Sequence, residues 1–383
     1  MKSLALFALG AIASASAMAL SPISPNISIT GPLQQTTAVG TSAAVQNTAQ
    51  PNSTAIQNVS SNKGFVTVGG ANLKQETTLN DSSRIENESK KAGDIAVQNV
   101  SSNYGTKHNP VVFASSSGNS SQTTTLNGSA VLRNTADGAG SHTGPCGQLD
   151  CLDGAQAVQN VSSNASGVTV KGTLTQNTSV SGGAVTNLAT GKDALAQQSL
   201  ASNFSDVTIA TGSTQQTVTL SNTTVKNEAT GQNAKASQNL ASNVKDVVIG
   251  ANLTQAVSLT NSSVTNRADG NNTAVQNLAS NYDGVRTSAT LNQTVQGSGA
   301  TIGNEAIGAQ AQAFQNLASN LGRVSIGSPT SQTVYANGII WNKAYANAVA
   351  FQNLSSNDAC EPPGLQTPPP CPTGGCGWTT AKK

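Results

Sequence analysis

The 383-residue chain has few charged and aromatic side chains, 9% and 3% of its residues, and a formal net charge of +2. So weak and dispersed a charge excludes electrostatic capture of nucleic acid, and the scarcity of large apolar residues excludes ordinary globular domains. Disorder is also disfavoured, because it combines low hydrophobicity with high net charge. The composition indicates a protein that buries small side chains in many thin, similar layers.

Residues 1–19 are typical of a secretory signal peptide. Lys2 provides a short positive end, residues 4–13 are mostly apolar, and Ala17-Met18-Ala19 has the small-x-small pattern of a cleavage site. The apolar run is too short to span a membrane, which takes about 20 residues, and the alternative is a buried N-terminal helix. We therefore expect an exported protein whose mature chain begins near Leu20.

Residues 20–54 are predicted to form an N-terminal leader or linker, because prolines are interspersed there among polar residues. The fragment Ala44-Val-Gln-Asn47 resembles part of the repeat that follows, so strand pairing can already begin here.

From 55 to 357 the chain repeats the motif Ala-x-Gln-Asn-[Val/Leu]-[Ser/Ala]-Ser-Asn, with one departure at Ser199, where Asn is expected. The period is about 39 residues, and a second glutamine usually follows 17 or 18 residues after the first. A motif repeated this often indicates a stacked architecture and not a single active site. The first glutamines are Gln57, Gln98, Gln159, Gln198, Gln238, Gln276, Gln315 and Gln352. The second glutamines are Gln75, Gln122, Gln176, Gln216, Gln255, Gln293 and Gln332.

Each repeat is interpreted as two halves of about 20 residues, both built as strand, turn and strand. Asn62 and its equivalents are predicted to occupy the turn of the first half, because Asn tolerates positive φ. The next segment alternates apolar and polar residues, as in Val168-Thr-Val170, which is typical of a strand. An apolar residue nine positions after the glutamine, such as Val131, is expected to face inward.

The predicted fold class is therefore all-β, a repetitive β-solenoid of stacked strand–turn–strand units in double repeats of about 39 residues. Stacking places identical side chains in register, so the fifteen glutamines are predicted to form structural amide ladders along the stack. One layer per half-repeat would give a rod of about 67 Å, and one layer per repeat about half that length.

An insertion at about 138–154 is expected to leave the solenoid as a surface loop. Residues 358–383 form a tail rich in Pro and Cys that cannot continue the strand pairing. The five cysteines fit an oxidising compartment. Cys146 can close a small loop with Cys151, and Cys371 can pair with Cys376. Cys360 is then either an ordinary thiol or a cross-link to another chain.

No residue pattern points to catalysis, and we expect neither an enzyme nor a cofactor. The two histidines, His108 and His142, lie in inserted loops, and the acidic residues recur at no fixed repeat position. No phosphate-binding loop, zinc-protease motif or nucleophile elbow is present. His142 lies near two cysteines, but the spacing matches no strong zinc pattern, so no metal site is predicted.

In repeat style, residues 55–357 resemble curlins, which are exported bacterial subunits that form functional amyloid fibres in biofilms. The long repeats and Cys-bearing tail are similar to Fap-type amyloid subunits, and proteins that fasten an adhesive holdfast to the envelope have a related character. Two departures stand against these likenesses. Curlin units carry Ser, Gln, Gly, Asn and Gln at set positions, and the tail here has Cys371-x4-Cys376 in place of Cys-x-x-Cys.

The resemblance implies an extracellular or outer-membrane-associated structural protein that self-associates into fibres or multimers and serves adhesion, biofilm formation or holdfast attachment. Other surface proteins, outer-membrane export proteins and extracellular polysaccharide are the implied partners. The alternative is a monomeric β-solenoid that binds a polysaccharide, ice or another ligand along a flat polar face. Outward Thr67, Thr169 and Thr208 motivate that alternative.

Overall fold

The structure is a computed structural model that describes residues 26–50, 53–90, 93–106, 108–138, 155–270 and 272–359. Over these ranges the chain forms 38 strands and no helix, and strands of successive turns pair in parallel. The predicted class, an all-β repetitive solenoid, is confirmed. No helix able to cross a membrane occurs in the ranges described.

A complete turn contains five strand positions, and strands at equivalent positions build four parallel sheets. The motif sheet carries the Ala-x-Gln-Asn motif. Its strands are Ala55–Val59, Ile95–Val100, Gln156–Val161, Leu195–Leu200, Lys235–Leu240, Thr273–Leu278, Gln312–Leu317 and Val349–Leu354. The asparagine sheet follows it in each turn. Its strands are Asn62–Lys63, Asn103–Tyr104, Asn164–Ala165, Asn203–Phe204, Asn243–Val244, Asn281–Tyr282, Asn320–Leu321 and Asn357–Asp358.

The arm sheet comes next along the chain. Its strands are Ile27–Ile29, Val66–Val68, Val111–Phe113, Val168–Val170, Val207–Ile209, Val247–Ile249, Val285–Thr287 and Val324–Ile326. The broad sheet completes the turn with a first and a second segment. The first segments are Leu33–Val39, Asn72–Leu79, Asn119–Asn127, Thr173–Ser181, Ser213–Ser221 and Asn252–Thr260. The second segments are Ala44–Ala49, Arg84–Lys90, Val131–Asp137, Ala184–Thr190, Thr224–Thr230 and Ser263–Asp269. In the last two turns both segments run together, as Leu291–Ile307 and Thr330–Tyr345.

Each repeat makes one layer, because every strand pairs with its equivalent one full repeat away. Gln159, for example, lies beside Gln98 and Gln198 in the motif sheet. The two halves of a repeat lie on opposite sides of a thin interior and do not stack on each other. Eight layers spaced by about 4.8 Å give a stack about 35 Å long, the shorter of the two lengths that the sequence allowed.

Small apolar side chains fill the interior between the broad sheet and the other three sheets. They form three columns along the stack, which one layer illustrates: Val168 with Leu174, Val161 with Val180 and Val185, and Ala157 with Ala189. Burying one Val or Leu contributes about 1.5–3 kcal/mol. Repetition of this small contribution in every layer replaces the single large core that the composition excludes.

The solenoid begins earlier than the sequence indicated. Strands Ile27–Ile29, Leu33–Val39 and Ala44–Ala49 form a first layer that pairs with the arm and broad-sheet strands of the next turn. The interpretation of 20–54 as a leader or linker is therefore wrong for these strands. Pro32 was one reason for that interpretation. This proline lies just before the strand Leu33–Val39, where its missing N–H removes no hydrogen bond between strands.

The predicted turn residue is also wrong. At the bend that follows the motif strand, the positive-φ residue lies three positions after the glutamine, with φ between 46° and 48°: Ser60, Ser101, Ser162, Ala201, Ala241, Ala279, Ala318 and Ser355. A second set of positive-φ residues, such as Ser166 and Asp206, lies just before the arm strands. Asn62 and its equivalents begin the strands of the asparagine sheet instead. A small side chain limits the steric cost of the left-handed conformation, while the Asn amide is needed in a buried ladder.

Val131 faces outward, and its neighbour Leu132 takes the buried position beside Ile85 and Val185. The bend between the two broad-sheet segments is one residue longer here than in later turns, with five residues between Leu126 and Leu132 and four between Val180 and Val185. A shift of one residue turns every side chain of a strand to the opposite face. In this layer, the residue nine positions after the glutamine is therefore not the buried one.

Some sequence-based expectations concern residues outside the described ranges. These are the signal peptide at 1–19, the insertion after Gly138, the tail beyond 359, His142, and Cys146, Cys151, Cys360, Cys371 and Cys376.

Candidate functional site

The fifteen predicted glutamines lie in two ladders that run along the interior. In the motif sheet, Gln238 Nε2 donates to Gln198 Oε1 at 2.9 Å, and Gln276 Nε2 donates to Gln238 Oε1 at 2.8 Å. The same nitrogen of Gln238 also donates to the Thr265 carbonyl of the broad sheet at 3.2 Å. In the broad sheet, Gln75 donates to Gln35 at 2.9 Å, which extends the second ladder into the first layer. Gln238 is fully buried, so its role is structural.

Two asparagine ladders run beside them with the opposite polarity. Asn134 of the broad sheet donates toward the C-terminal end, to Asn187 Oδ1 at 2.8 Å, and also to two backbone carbonyls of the motif sheet. Asn103 of the asparagine sheet donates in the same direction, to Asn164 Oδ1 at 2.9 Å. The glutamines donate toward the N-terminal end. The hydrogen-bond polarity of the ladders therefore makes the two ends of the stack chemically different.

A third asparagine column follows the motif sheet and is broken at one layer. Asn99 donates to Asn58 at 2.8 Å and Asn160 donates to Asn99 at 3.0 Å. Ser199 occupies the next position. Its hydroxyl and the Asn160 Oδ1 are both buried and find no hydrogen-bond partner among the described residues. The departure noted in the sequence is thus a structural defect in the ladder.

The motif and asparagine strands meet at a concave corner whose outer side is buried. Val275 and Tyr282 pack there with Phe314 and Leu321 of the next layer. Burial raises the pKa of Tyr282 far above its ordinary value. The sequence did not indicate this contact, although the residue after the motif's Ala and the residue after its last Asn are apolar or aromatic in most repeats.

The outward threonines of the arm sheet do not form a continuous polar surface. Thr169 and Thr208 lie side by side, but Val112 separates Thr67 from them, and Val248 follows Thr208. No group of three His, Cys, Asp or Glu side chains that could hold a metal ion occurs within the described part of the chain.

The two ends of the solenoid are the surfaces on which strands lack neighbours. The N-terminal end is formed by the first layer and by the motif and asparagine strands that follow it, Ala55–Val59 and Asn62–Lys63. The C-terminal end is formed by Val324–Ile326, Thr330–Tyr345, Val349–Leu354 and Asn357–Asp358. Within the described ranges, nothing pairs with the outer edges of these strands.

Apolar side chains are exposed at both ends because their columns stop there. Ile56 at the N-terminal end is 40% exposed and Leu354 at the C-terminal end is 43% exposed. Lys63, also at the N-terminal end, is half-buried over the Tyr104 ring at 5.9 Å, and burial lowers its pKa.

The last broad-sheet strand also has an apolar outer face. Tyr335 and Ile339 are exposed there, the latter by 62%. The Trp341 indole lies against Gly303, where an added Cβ would come within 2.1 Å of the ring. Lys343 Nζ lies 5.0 Å from the centre of the same ring. The C-terminal end is thus the more apolar of the two.

Comparison with protein-family models, with curated proteins and with solved structures finds no match to this chain. What the protein does must therefore be inferred from its own residues. Its uncovered ends are the strongest candidate for a functional surface.

Proposed function

We propose that the protein is an exported bacterial cell-surface structural subunit whose copies associate through the ends of the solenoid. One observation carries the proposal: both ends leave the strand edges of all four sheets without a neighbour in the described residues. Open strand edges are templates for pairing with another chain. Exposed apolar residues such as Ile56 and Leu354 make the same surfaces favourable to bury.

The biological role proposed is adhesion, biofilm formation or the attachment of an adhesive holdfast to the cell envelope. The signal-peptide pattern of residues 1–19 supports export, and the curlin-like style of the repeats supports an amyloid-type assembly. Other surface or adhesin proteins, outer-membrane export proteins and extracellular polysaccharide are the partners proposed. The role is structural, so we propose no catalytic activity and no cofactor. The cysteines near the C-terminus would tether or cross-link assembled copies.

The test is the assembly state of the purified chain starting at Leu20, kept under reducing conditions. Sedimentation over a wide concentration range is expected to show concentration-dependent multimers, and aligned samples are expected to give a cross-β pattern with a spacing of about 4.8 Å along the fibre axis. A protein that stays monomeric at high concentration and gives no fibre pattern would overturn the proposal.

A second candidate function, ligand binding along a polar face, is favoured by one column on the broad sheet. Hydroxyl side chains occupy the same outward position in five consecutive layers: Thr78, Thr125, Ser179, Thr219 and Ser258. Their spacing of about 4.8 Å is fixed by the sheet, which suits a repetitive ligand such as a polysaccharide chain or an ice surface. Glycan-array and ice-affinity assays in which Thr125→Lys has no effect on binding would argue against it.

A further inference from the structure

The two ends of the solenoid are incomplete turns that complement each other. Within the described residues, the first layer contributes an arm strand and both broad-sheet segments, from Ile27 to Ala49, and no motif or asparagine strand. The last described layer contributes a motif strand and an asparagine strand, from Val349 to Asp358. Among the residues that the structure describes, each of the five positions is therefore filled eight times, and the winding from Ile27 to Asp358 covers a whole number of turns. A second copy placed one layer further along would complete the unfinished turn.

The side-chain ladders give this joint a direction. At the C-terminal end, no donor in the described residues reaches the Oε1 of Gln352, which itself donates to Gln315 at 2.5 Å. At the N-terminal end, Gln57 Nε2 donates to the Glu86 carbonyl at 3.3 Å and has a further N–H to offer. Donor and acceptor therefore meet when the C-terminal end of one copy lies on the N-terminal end of another.

The asparagine ladders agree with this direction. Among the described residues, Asn342 donates only to the carbonyls of Ala313 and Phe351, whereas Asn304 one layer earlier donates to two carbonyls and also to Asn342 Oδ1. The acceptor equivalent to Asn342 Oδ1 would, for Asn342 itself, be Asn47 Oδ1 of a following copy. Asn47 and Asn342 occupy the same column of the broad sheet. In a head-to-head joint, donors would face donors and acceptors would face acceptors, and the strands of the two copies could not pair in parallel.

Side chains of the end layers also match across this joint. Phe351 of the last motif strand and Ile56 of the first belong to the same outer column, so each would cover the other. Leu354 and Val59 match in the inner column in the same way. Burial of the exposed Ile56 and Leu354 would favour association.

One pair of opposite charges falls in a single column at the two ends. Asp358 pairs in register with Leu321 at the C-terminal end, and Lys63 pairs in register with Tyr104 at the N-terminal end. In all other layers this column holds uncharged residues: Tyr104, Ala165, Phe204, Val244, Tyr282 and Leu321. We infer that copies of this chain join head to tail and in register, with Asp358 of one copy beside Lys63 of the next.

This inference rests on the proposed function, since it specifies the joint through which copies would add. The partner surface is a second copy of the chain, and the backbones of the two charged residues would lie one layer apart, about 4.8 Å. A carboxylate in the neighbouring layer also offsets the desolvation that lowers the pKa of Lys63 in the single copy.

The test reverses each charge in the full mature chain under reducing conditions. Lys63→Asp and Asp358→Lys each place like charges at every head-to-tail joint, which is costly at an interface. Each single variant is expected to raise the concentration needed for assembly by about tenfold or more. In an equimolar mixture, opposite charges meet at every joint where the two variants alternate, so the mixture is expected to assemble by alternation at about the wild-type concentration.

The control is Lys171→Asp, which makes the same charge change at an exposed position in a middle layer and is expected to assemble normally. Circular dichroism melting checks that all variants fold. If the wild type assembles and the single variants assemble equally well, the head-to-tail register is overturned while the proposed self-association stands. If the wild type does not assemble at any concentration, the proposed function itself fails.

Discussion

At the scale of single residues, each buried glutamine has copies of itself as neighbours above and below. Gln238 accepts from Gln276, donates to Gln198 and donates to the backbone of the facing sheet. Its amide is therefore satisfied only by the stack, and the same holds for every interior glutamine of the ladder. This arrangement explains why the motif tolerates variation around the glutamine but keeps the glutamine in all eight copies.

Replacement of Gln238 by alanine should lower the free energy of unfolding by about 1–3 kcal/mol, because it leaves buried amide groups of Gln198 and Gln276 and a carbonyl unsatisfied. Thermal and denaturant unfolding followed by circular dichroism measures the change. Gln215→Ala is the matched control, since Gln215 lies on the exposed face of the broad sheet, and it should change stability little. Equal effects of the two substitutions would contradict the ladder role.

The defect at Ser199 offers the opposite experiment. Ser199→Asn should restore the column, since the new amide can donate to the unpartnered Asn160 Oδ1 and accept from Asn239. We expect stabilisation of about 1 kcal/mol, seen as a higher melting temperature. Ser199→Ala removes only an unpartnered hydroxyl and should give no comparable gain. A melting temperature that falls with asparagine would show that the column has no room for the amide.

At the scale of the elements, register decides which residues are buried. The alternation of apolar and polar residues correctly predicted the arm strands, such as Val168–Val170, because one face of each packs on the interior. It could not predict the concave corner, where residues on both faces of the motif strand Thr273–Leu278 are buried. That corner is made by the positive φ of Ala279, a backbone feature that side-chain pattern does not encode.

The one-residue shift in the broad sheet gives a sharp test of register. Leu132→Lys should destabilise the protein by more than about 3 kcal/mol, since it places an unpaired charge in the central apolar column. Val131→Lys next to it should be tolerated, because that side chain faces outward. Yield of soluble protein and melting temperature compare the two. A greater loss of yield and melting temperature from Val131→Lys than from Leu132→Lys would mean that the register of this strand is shifted by one residue.

At the scale of the whole molecule, the sequence predicted the solenoid and its ladders but left open the number of layers. Gln57 and Gln75 look alike in sequence because both are followed by polar turns and β-branched residues. In the structure they lie in different sheets, and Gln75 donates to the Ser102 carbonyl, just before the asparagine-sheet strand Asn103–Tyr104. Which strands stack is decided by pairing over a full turn, and nothing local in either half carries that information.

Deletion of one whole turn tests this architecture and the role of the ends together. Removal of residues 195–234 joins Ala194 to Lys235, which occupies the same strand position as Leu195. Every ladder then closes over the gap, so the shortened protein should fold and lose about 4.8 Å in length. It should also assemble as the full chain does, because both ends are untouched.

Removal of only 195–214 should behave differently. It joins Ala194 to Gln215 and brings a broad-sheet strand to the position of a motif strand, so that both glutamine ladders and the alanine column are interrupted. This protein should misfold or aggregate without a cooperative melting transition. Melting curves and small-angle scattering compare the two deletions. If this protein instead folds into a shortened solenoid as well as the 40-residue deletion does, the half-repeat is the stacking unit and the assignment of one layer to each full repeat is wrong.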